Sequence, residues 1–405
     1  MRICYINHYA GGPSLGMEFR PHALAERWLA RGHEVTIIAA SFSHLRRTNP
    51  EVGRDGELHV IDGVPFRFIK TRSYHGNGLD RVLTWVEFVG KGMLAARRIA
   101  ELLRPDAVIA SSTYPMDTWF AARVARLAGA RLVHEVHDLW PLTPIELGGY
   151  SPRHPLMALM ARAERDAYRA SDVIVSILPN IEPHVRGLGI DTPVVHIPNG
   201  VEVTTPSAEA PADLIALIDG LRTSGRKLIG YAGGMATSNA MDTFIDAMGR
   251  LTDEPITAIL LGDGLLRPEL EAQATRLGAD VRFVGSIPKA QVGDALRRLD
   301  ALYIGSRRSR LYEYGVSANK IFDYLLTGVP IVDAFATEHS PLVYAGCAIR
   351  AEAEDSASIA AAIHQAVNLA PEDAAERGRR GVEYVRAHHS MDALADAFLT
   401  SLQRL

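Results

Sequence analysis

The chain is poor in cysteine, with two among 405 residues, Cys4 and Cys347. That count excludes a disulfide-stapled fold and fits a reducing compartment. An excess of basic charge is missing too: 43 Lys and Arg stand against 47 Asp and Glu, a formal net charge of −4. No global positive field therefore draws the chain to nucleic acid. No apolar run is long enough to span a membrane. The opening Met-Arg-Ile-Cys-Tyr-Ile is too short for the apolar segment of a signal peptide. The expectation is a cytoplasmic protein. Missing motifs narrow the chemistry further. Gly11-Gly-Pro-Ser-Leu-Gly16 is not Gly-x-Gly-x-x-Gly, and Ala39-Ala40-Ser41 stands where a nicotinamide-binding unit would close its second strand with an acid. His134-Glu-Val-His137 is not His-Glu-x-x-His, and no aspartate-rich cluster is present, so neither a cofactor nor a metal is expected.

The chain does hold the composition of a globular protein, 47% hydrophobic and 22% charged, at a length that suits two domains. Short apolar strands alternate with amphipathic helices. Strands are expected over 2–7, 34–40, 107–110 and 131–136, with helices over 17–31, 83–103 and 116–127. The stretch 204–212, rich in Thr, Pro, Ser and Ala, reads as a linker. The alternation then starts afresh, with strands over 227–232, 257–261, 281–284, 301–304 and 330–332. Helices are expected over 240–251 and 318–327. This pattern is α/β: two doubly wound domains, 1–203 and 213–389, followed by a packing helix over 390–405. Ligands bind at the carboxyl ends of strands in such sheets, so the active site is expected in a cleft between the domains.

The most informative segment is Tyr312-Glu-Tyr-Gly-Val-Ser-Ala-Asn-Lys-Ile-Phe-Asp-Tyr-Leu-Leu-Thr-Gly328. Gly315 permits a close approach of backbone to ligand. Ser317 suits a helix N-cap, and Gly328 stands where the helix should stop. The free N–H groups of that first turn, around Val316, Ser317, Ala318 and Asn319, suit a diphosphate. Lys320 is an unfavourable cation at a helix N-terminus unless an anion is bound there. Asp323 can accept from the hydroxyls of a ribose. Upstream, Ser306-Arg-Arg-Ser-Arg310 offers Arg307, Arg308 and Arg310 for diphosphate neutralisation, or forms a solvated basic loop. His134 and His137 lie three apart on a strand and point to opposite faces, which disfavours a two-histidine metal site. His134 is expected in the core. His137, at the strand's carboxyl end, is expected to bond a sugar hydroxyl or stabilise developing charge.

Several glycine loops also follow strands. Gly12 and Gly16 flank the first, with Glu18 and Arg20 early in the next helix. Gly233, Gly234 and Asn239 follow the second domain's first strand. Gly262 opens Gly-Asp-Gly, and Ile287 lies in Gly285-Ser-Ile-Pro-Lys289, a candidate wall for a nucleotide base. The stripe Val82, Leu83, Trp85, Val86, Val89, Met93 and Leu94, with Arg97 and Arg98 nearby, fits core packing or a surface helix resting on anionic lipid.

Taken together, Gly16-Met-Glu-Phe-Arg-Pro21, Gly32-His-Glu-Val, Ser41-Phe-Ser-His-Leu-Arg46, Val136-His-Asp-Leu-Trp-Pro141, Ile197-Pro-Asn-Gly-Val201 and Tyr314-Gly-Val-Ser-Ala-Asn-Lys-Ile-Phe-Asp-Tyr324 resemble the retaining glycosyltransferases of family 4. The closest likeness is to bacterial O-antigen and capsule enzymes similar to L-fucosamine transferases. The resemblance implies a GT-B fold, two Rossmann-like domains with the donor nucleotide held by the second. It implies His137 at the donor sugar, Asp323 at the ribose, and Gly315 to Asn319 with Lys320 at the diphosphate. Glu18, Arg20 and His44 would lie on the acceptor side. The common family pattern has an acid eight positions before Asp323, where this chain has Gly315. It also has an arginine and a lysine where Tyr231-Ala-Gly-Gly-Met-Ala-Thr-Ser-Asn239 stands. Neutralisation is then expected from Lys320 and an arginine such as Arg308 or Arg310.

The reaction implied is transfer of a sugar, hexosyl or N-acetylhexosaminyl, from a UDP-linked donor to a glycan or a polyprenyl-diphosphate-linked acceptor. A peripheral membrane contact would accompany such an acceptor. Two other readings fit the same layout: a UDP-sugar 2-epimerase, and a non-catalytic partner that kept the fold.

Overall fold

The computed structural model describes residues 1–74, 76, 78–203 and 208–403. The chain divides into two compact units, Met1–Asn199 with Met391–Leu405, and Gly200–Ser390. Of the expected linker, residues 204–207 lie outside the described residues, as do 404–405 of the tail.

The first unit carries β1 (Arg2–Ile6), β2 (Glu34–Ala40), β3 (Glu57–Ile61), β4 (Val64–Ile69), β5 (Ala107–Ala110), β6 (Arg131–Val136), β7 (Val173–Ser176) and β8 (Val194–His196). They form one sheet in the order β3-β4-β2-β1-β5-β6-β7-β8. Every neighbouring pair is parallel except β3 and β4. The central strands are buried on both faces, so they read as continuous apolar runs. The β3–β4 hairpin is absent from the expected elements. Its signal was there: Asp62-Gly63 holds φ of 46° and 86°, the two positive values that a tight two-residue hairpin turn demands.

The second unit carries β9 (Lys227–Ala232), β10 (Ile256–Leu261), β11 (Val281–Gly285), β12 (Ala301–Gly305), β13 (Ile331–Ala334) and β14 (Ile349–Arg350). They form a parallel sheet in the order β11-β10-β9-β12-β13-β14. Both units are therefore Rossmann-like α/β domains.

Three helix expectations need correction. The helix expected over 17–31 runs Arg20–Ala30, with Pro21 in its first turn, where a missing N–H is harmless. The residues before it are tied back by Gly11 N–H to Glu18 O (2.8 Å) and Glu18 N–H to Tyr9 O (3.3 Å), so Glu18 lies in the loop. The helix after Gly315 runs Asn319–Thr327 with Ala318 as its N-cap and no side-chain cap, because alanine carries no side-chain acceptor, and the Val316 N–H expected to be free is bonded to His339 O at 3.0 Å. Ser317 is buried and does not cap. The long helix begins earlier than expected, at Leu79, and ends at Leu103.

The final helix, Met391–Gln403, packs into the first unit. Its Leu394, Phe398 and Leu402 join Trp28 and the inner faces of β1 and β4 in one core, and Trp28 Nε1 donates to Ala395 O at 3.0 Å. An apolar helical stripe must be covered somewhere, and here it is covered by the domain that opens the chain.

Candidate active site

In the second unit, the loops that follow β9, β10 and β11 are laced together through their backbones. Gly233 N–H donates to Leu261 O (2.9 Å), Met235 N–H to Asp263 O (2.9 Å) and Gly262 N–H to Gly285 O (2.8 Å). Gly262 has a φ of +139°, and a Cβ there would stand 2.0 Å from Gly233 O. These glycines thus allow backbone to approach backbone. Ile287, partly buried, packs beside the core beneath the β11 loop.

The helix Asn319–Thr327 is stitched to the end of β9 by Tyr324, whose hydroxyl accepts from Ala232 N (2.6 Å) and donates to Ala232 O (3.1 Å). That contact carries Lys320 to the glycine loop. Lys320 Nζ donates to Asn239 Oδ1 (2.7 Å) and Tyr231 Oη (3.2 Å) and lies 4.9 Å from the Tyr231 ring centroid. Asn239 and Tyr231 are themselves oriented by the same acceptor, Gly234 O, at 2.8 Å each. Among the described residues Lys320 has no carboxylate partner. Burial pushes its ammonium down to about 8, because neutral neighbours replace water without replacing a counter-ion.

The arginines divide. Arg307 is held by Asp242 (2.7 Å), Glu354 (3.0 Å) and Thr237 O (3.3 Å). Arg308 is held by Glu352 (3.2 Å) and Ala353 O (3.0 Å). The guanidinium expected to neutralise a diphosphate from Arg308 is therefore engaged by carboxylate and carbonyl groups of the 352–354 turn. Arg310 is exposed and has no ion pair among the described residues. Asp323 forms an ion pair with Lys289. Glu313 lines an open groove of 690 Å3, with Tyr312, Phe335 and Arg350, on a part of the sheet edge that holds none of the anticipated donor residues.

In the first unit, β6 delivers His134 and His137 to opposite faces. His134 is buried and bonded to Thr118 (2.8 Å), and burial lowers it to about 4. His137, just past the strand, places Nε2 at 2.8 Å from Ser111 Oγ and 3.1 Å from Glu135 Oε2. Asp138 is spent locally, accepting from Leu139 N, Trp140 Nε1 and Thr143 Oγ1. Arg20 is not on an open acceptor face. It is 5% exposed, paired with Glu135 at 2.9 Å, and donates to Ile197 O and Pro198 O. Each of its three guanidinium nitrogens donates to a partner within the fold.

Gly12 and Gly16 close a small loop on themselves, exchanging bonds of 3.0 and 2.8 Å. Glu18 follows it, half-buried, with no ion pair among the described residues. His44 is exposed, bonded through Nδ1 to Tyr74 Oη at 2.6 Å and edge-on to Tyr9. Burial, then the charge of Arg81, lowers its pKa. Four residues at these strand ends escaped the sequence reading: Tyr5, Ser111, Glu135 and Tyr231. Ser111-Ser112, a polar pair straight after an apolar strand, was a legible signal for one of them. Among the described residues no group of three His, Cys, Asp or Glu side chains could hold a metal, and no helix is long and apolar enough to cross a membrane.

Comparison with known proteins agrees with this layout. Residues 16–200 match the glycosyl transferase 4-like domain, and 226–369 match the glycosyl transferases group 1 domain. A colanic acid biosynthesis glycosyl transferase of Escherichia coli, WcaI, is 26% identical over 283 residues, covering 66% of this chain and 67% of its own. A GDP-mannose-dependent phosphatidylinositol dimannoside mannosyltransferase of Mycobacterium tuberculosis is 25% identical, covering 71% of this chain and 68% of its own. Among solved structures, sucrose-phosphate synthase of Thermosynechococcus elongatus superposes with a TM-score of 0.75 at 16% identity, covering 100% of this chain and 99% of that one. Anabaena HepE in complex with UDP superposes at 0.70 and 16%, covering all of both chains. With both of its domains matched to the two halves of one enzyme architecture, the chain is a glycosyltransferase of the GT-B type, a glycosyl transferase 4-like domain followed by a group 1 domain.

Proposed function

We propose that this enzyme moves a sugar, with retention of anomeric configuration, from a UDP-linked donor to a glycan or polyprenyl-diphosphate-linked acceptor in surface polysaccharide synthesis. The observation that carries the reading is Lys320, a half-buried ammonium at the first turn of a helix whose partners among the described residues are neutral. A diphosphate supplies the missing counter-charge, and the positive end of that helix's dipole adds to it. The sugar–phosphate bond ionises. Lys320, Arg310 and the helix N-terminus stabilise the leaving diphosphate, and His137 attends the donor sugar. The acceptor hydroxyl attacks from the same face, and a leaving phosphate oxygen takes its proton. HepE was crystallised with UDP and with UDP-glucose, which supports the uridine nucleotide. WcaI is named for colanic acid biosynthesis, which supports a polysaccharide product. The likeness to L-fucosamine transferases favours an amino sugar.

A thermal-shift panel of UDP, GDP, ADP, TDP and NAD tests the nucleotide. At about a hundred times its dissociation constant, the true ligand stabilises the fold by about 2.7 kcal/mol. UDP should give the largest shift. A larger shift with GDP would replace the donor, and no shift with any of them would overturn the reading.

The membrane contact is proposed on the helix Leu79–Leu103. Trp85 and Phe88 turn into the core, but Leu79 is 82% exposed and Leu94 89%, with Leu83 and Val86 exposed on the same face. Arg97 and Arg98 are exposed at its far end. An apolar stripe flanked by arginines suits an anionic bilayer surface. The protein should cosediment with anionic vesicles at low salt, and Leu83→Glu with Val86→Glu should abolish this while leaving the melting temperature unchanged. Wild-type protein staying in the supernatant would end the proposal.

A further inference from the structure

Glu135 is fully buried and fully satisfied. Its Oε2 accepts from Tyr5 Oη (2.5 Å) and Ser111 Oγ (2.6 Å), and its Oε1 from Arg20 Nε (2.9 Å). Burial alone would raise the carboxyl. The Arg20 guanidinium, then His137 and Ser111, outweigh it and hold it well below the usual carboxylate range. The group is an anion that can only accept.

A count of protons then settles the neighbouring imidazole. Ser111 has one hydroxyl proton, and it lies on Glu135. Asn7 Nδ2 donates to Ser111 Oγ from another side at 3.3 Å. Both partners of His137 Nε2, Ser111 Oγ at 2.8 Å and Glu135 Oε2 at 3.1 Å, therefore present lone pairs to it. A bare nitrogen there would face two acceptors, so Nε2 carries the hydrogen. No hydrogen bond engages Nδ1 among the described residues.

We propose that Glu135, with Ser111 as its bridge, is a positioning residue that fixes His137 as the Nε2–H tautomer and presents Nδ1 to a hydroxyl of the bound sugar. The inference rests on the reading that places His137 at the donor sugar, and adds which atom serves and what sets it. In the neutral ring Nδ1 accepts from the hydroxyl. If the ring gains a proton there, Nδ1 becomes a donor and the anion of Glu135 stabilises the cation. Arg20 keeps the carboxylate ionised without touching the imidazole.

The test is a double-mutant cycle on the full-length enzyme, measuring kcat, KM for donor, nucleotide affinity and melting temperature. Glu135→Gln places an amide donor against Nε2 and favours the opposite tautomer. It should lower kcat about 100-fold, with KM for donor and nucleotide affinity changed less than about twofold. In a His137→Ala background the same substitution should lower kcat no further, since its effect runs through the imidazole. The imidazole 15N shifts should show a protonated Nε2 and a bare Nδ1 in the wild type, and the reverse in Glu135→Gln. Should Glu135→Gln fail to fold because Arg20 loses its charge partner, Ser111→Ala leaves that pair intact and carries the same cycle, with a loss of about 10-fold in kcat. Equal losses in both backgrounds would make Glu135 a structural partner of Arg20 only and overturn the proposal, as would a protonated Nδ1 in the wild type. Full activity of His137→Ala would overturn the placement of His137 itself, and the positioning role with it.

Discussion

Lys320→Met will weaken UDP binding by about 100-fold and, at neutral pH, raise the melting temperature of the ligand-free protein by a few degrees. The two effects have one cause. The ammonium is held among Tyr231, Asn239 and the helix turn with, among the described residues, no carboxylate to offset its burial. An ordinary lysine titrates near 10.5 and this one near 8. The gap corresponds to roughly 3 kcal/mol of disfavoured charge, an upper bound reduced by residual exposure and by the hydrogen bonds the methionine forfeits. The sign follows from proton linkage. Between pH 8 and 10.5 the unfolded chain binds more protons than the folded one, so this lysine's destabilisation is complete below about 8 and fades as pH rises toward 10.5. Donor binding runs the other way. The diphosphate favours the protonated ammonium, so wild-type affinity for UDP should fall as pH rises through about 8. The methionine variant should show no such fall. Calorimetric titration at several pH values, beside thermal melts without ligand, reads both. Unchanged affinity in the variant would remove Lys320 from the site.

Gly262→Ala will abolish nucleotide binding and destabilise the second domain by about 3 kcal/mol or more. A side chain at this position is strained by the φ of +139° and drives its Cβ to 2.0 Å from Gly233 O, which is backbone and cannot rotate away. The β9 and β10 loops must separate. Asn239, the orienting partner of Lys320, rides on the first of them. Gly278→Ala is the matched control: its φ is +65°, but nothing lies within 4 Å of the added carbon. It should lose about 1 kcal/mol from backbone strain and keep full nucleotide affinity. Equal effects of the two substitutions would show that strain alone, and not the crossing of the loops, governs the site.

Much of the architecture was legible along the chain. The strands 34–40, 107–110, 131–136 and 227–232 coincide with the observed β2, β5, β6 and β9. A strand buried on both faces must be a short apolar run, and that is a local property. The opposed placement of His134 and His137 follows from the twofold repeat of a strand. The stop of the Asn319–Thr327 helix at Gly328, with φ of 72°, follows from the ease with which glycine turns left-handed. Even the missed hairpin was written locally, in Asp62-Gly63.

The partners of charged side chains were not legible. Arg20 looked like a residue early in a helix and near a ligand, but its carboxylate stands 115 positions away, on β6. Three arginines in five residues looked interchangeable. Asp242, in the first turn of the helix Met241–Gly249, and Glu352 and Glu354, in the turn after β14, engaged Arg307 and Arg308 and left Arg310. Tyr231 read as a buried strand residue and proves to bear on Lys320, 89 positions later. The sequence by itself determined the elements, their order and the strand ends where chemistry gathers, because those depend on the spacing of apolar groups and on the backbone freedom of glycine and proline. Only the tertiary structure decided which charges are spent and which remain, because a charge acts through space on whatever the fold sets within a few ångströms of it.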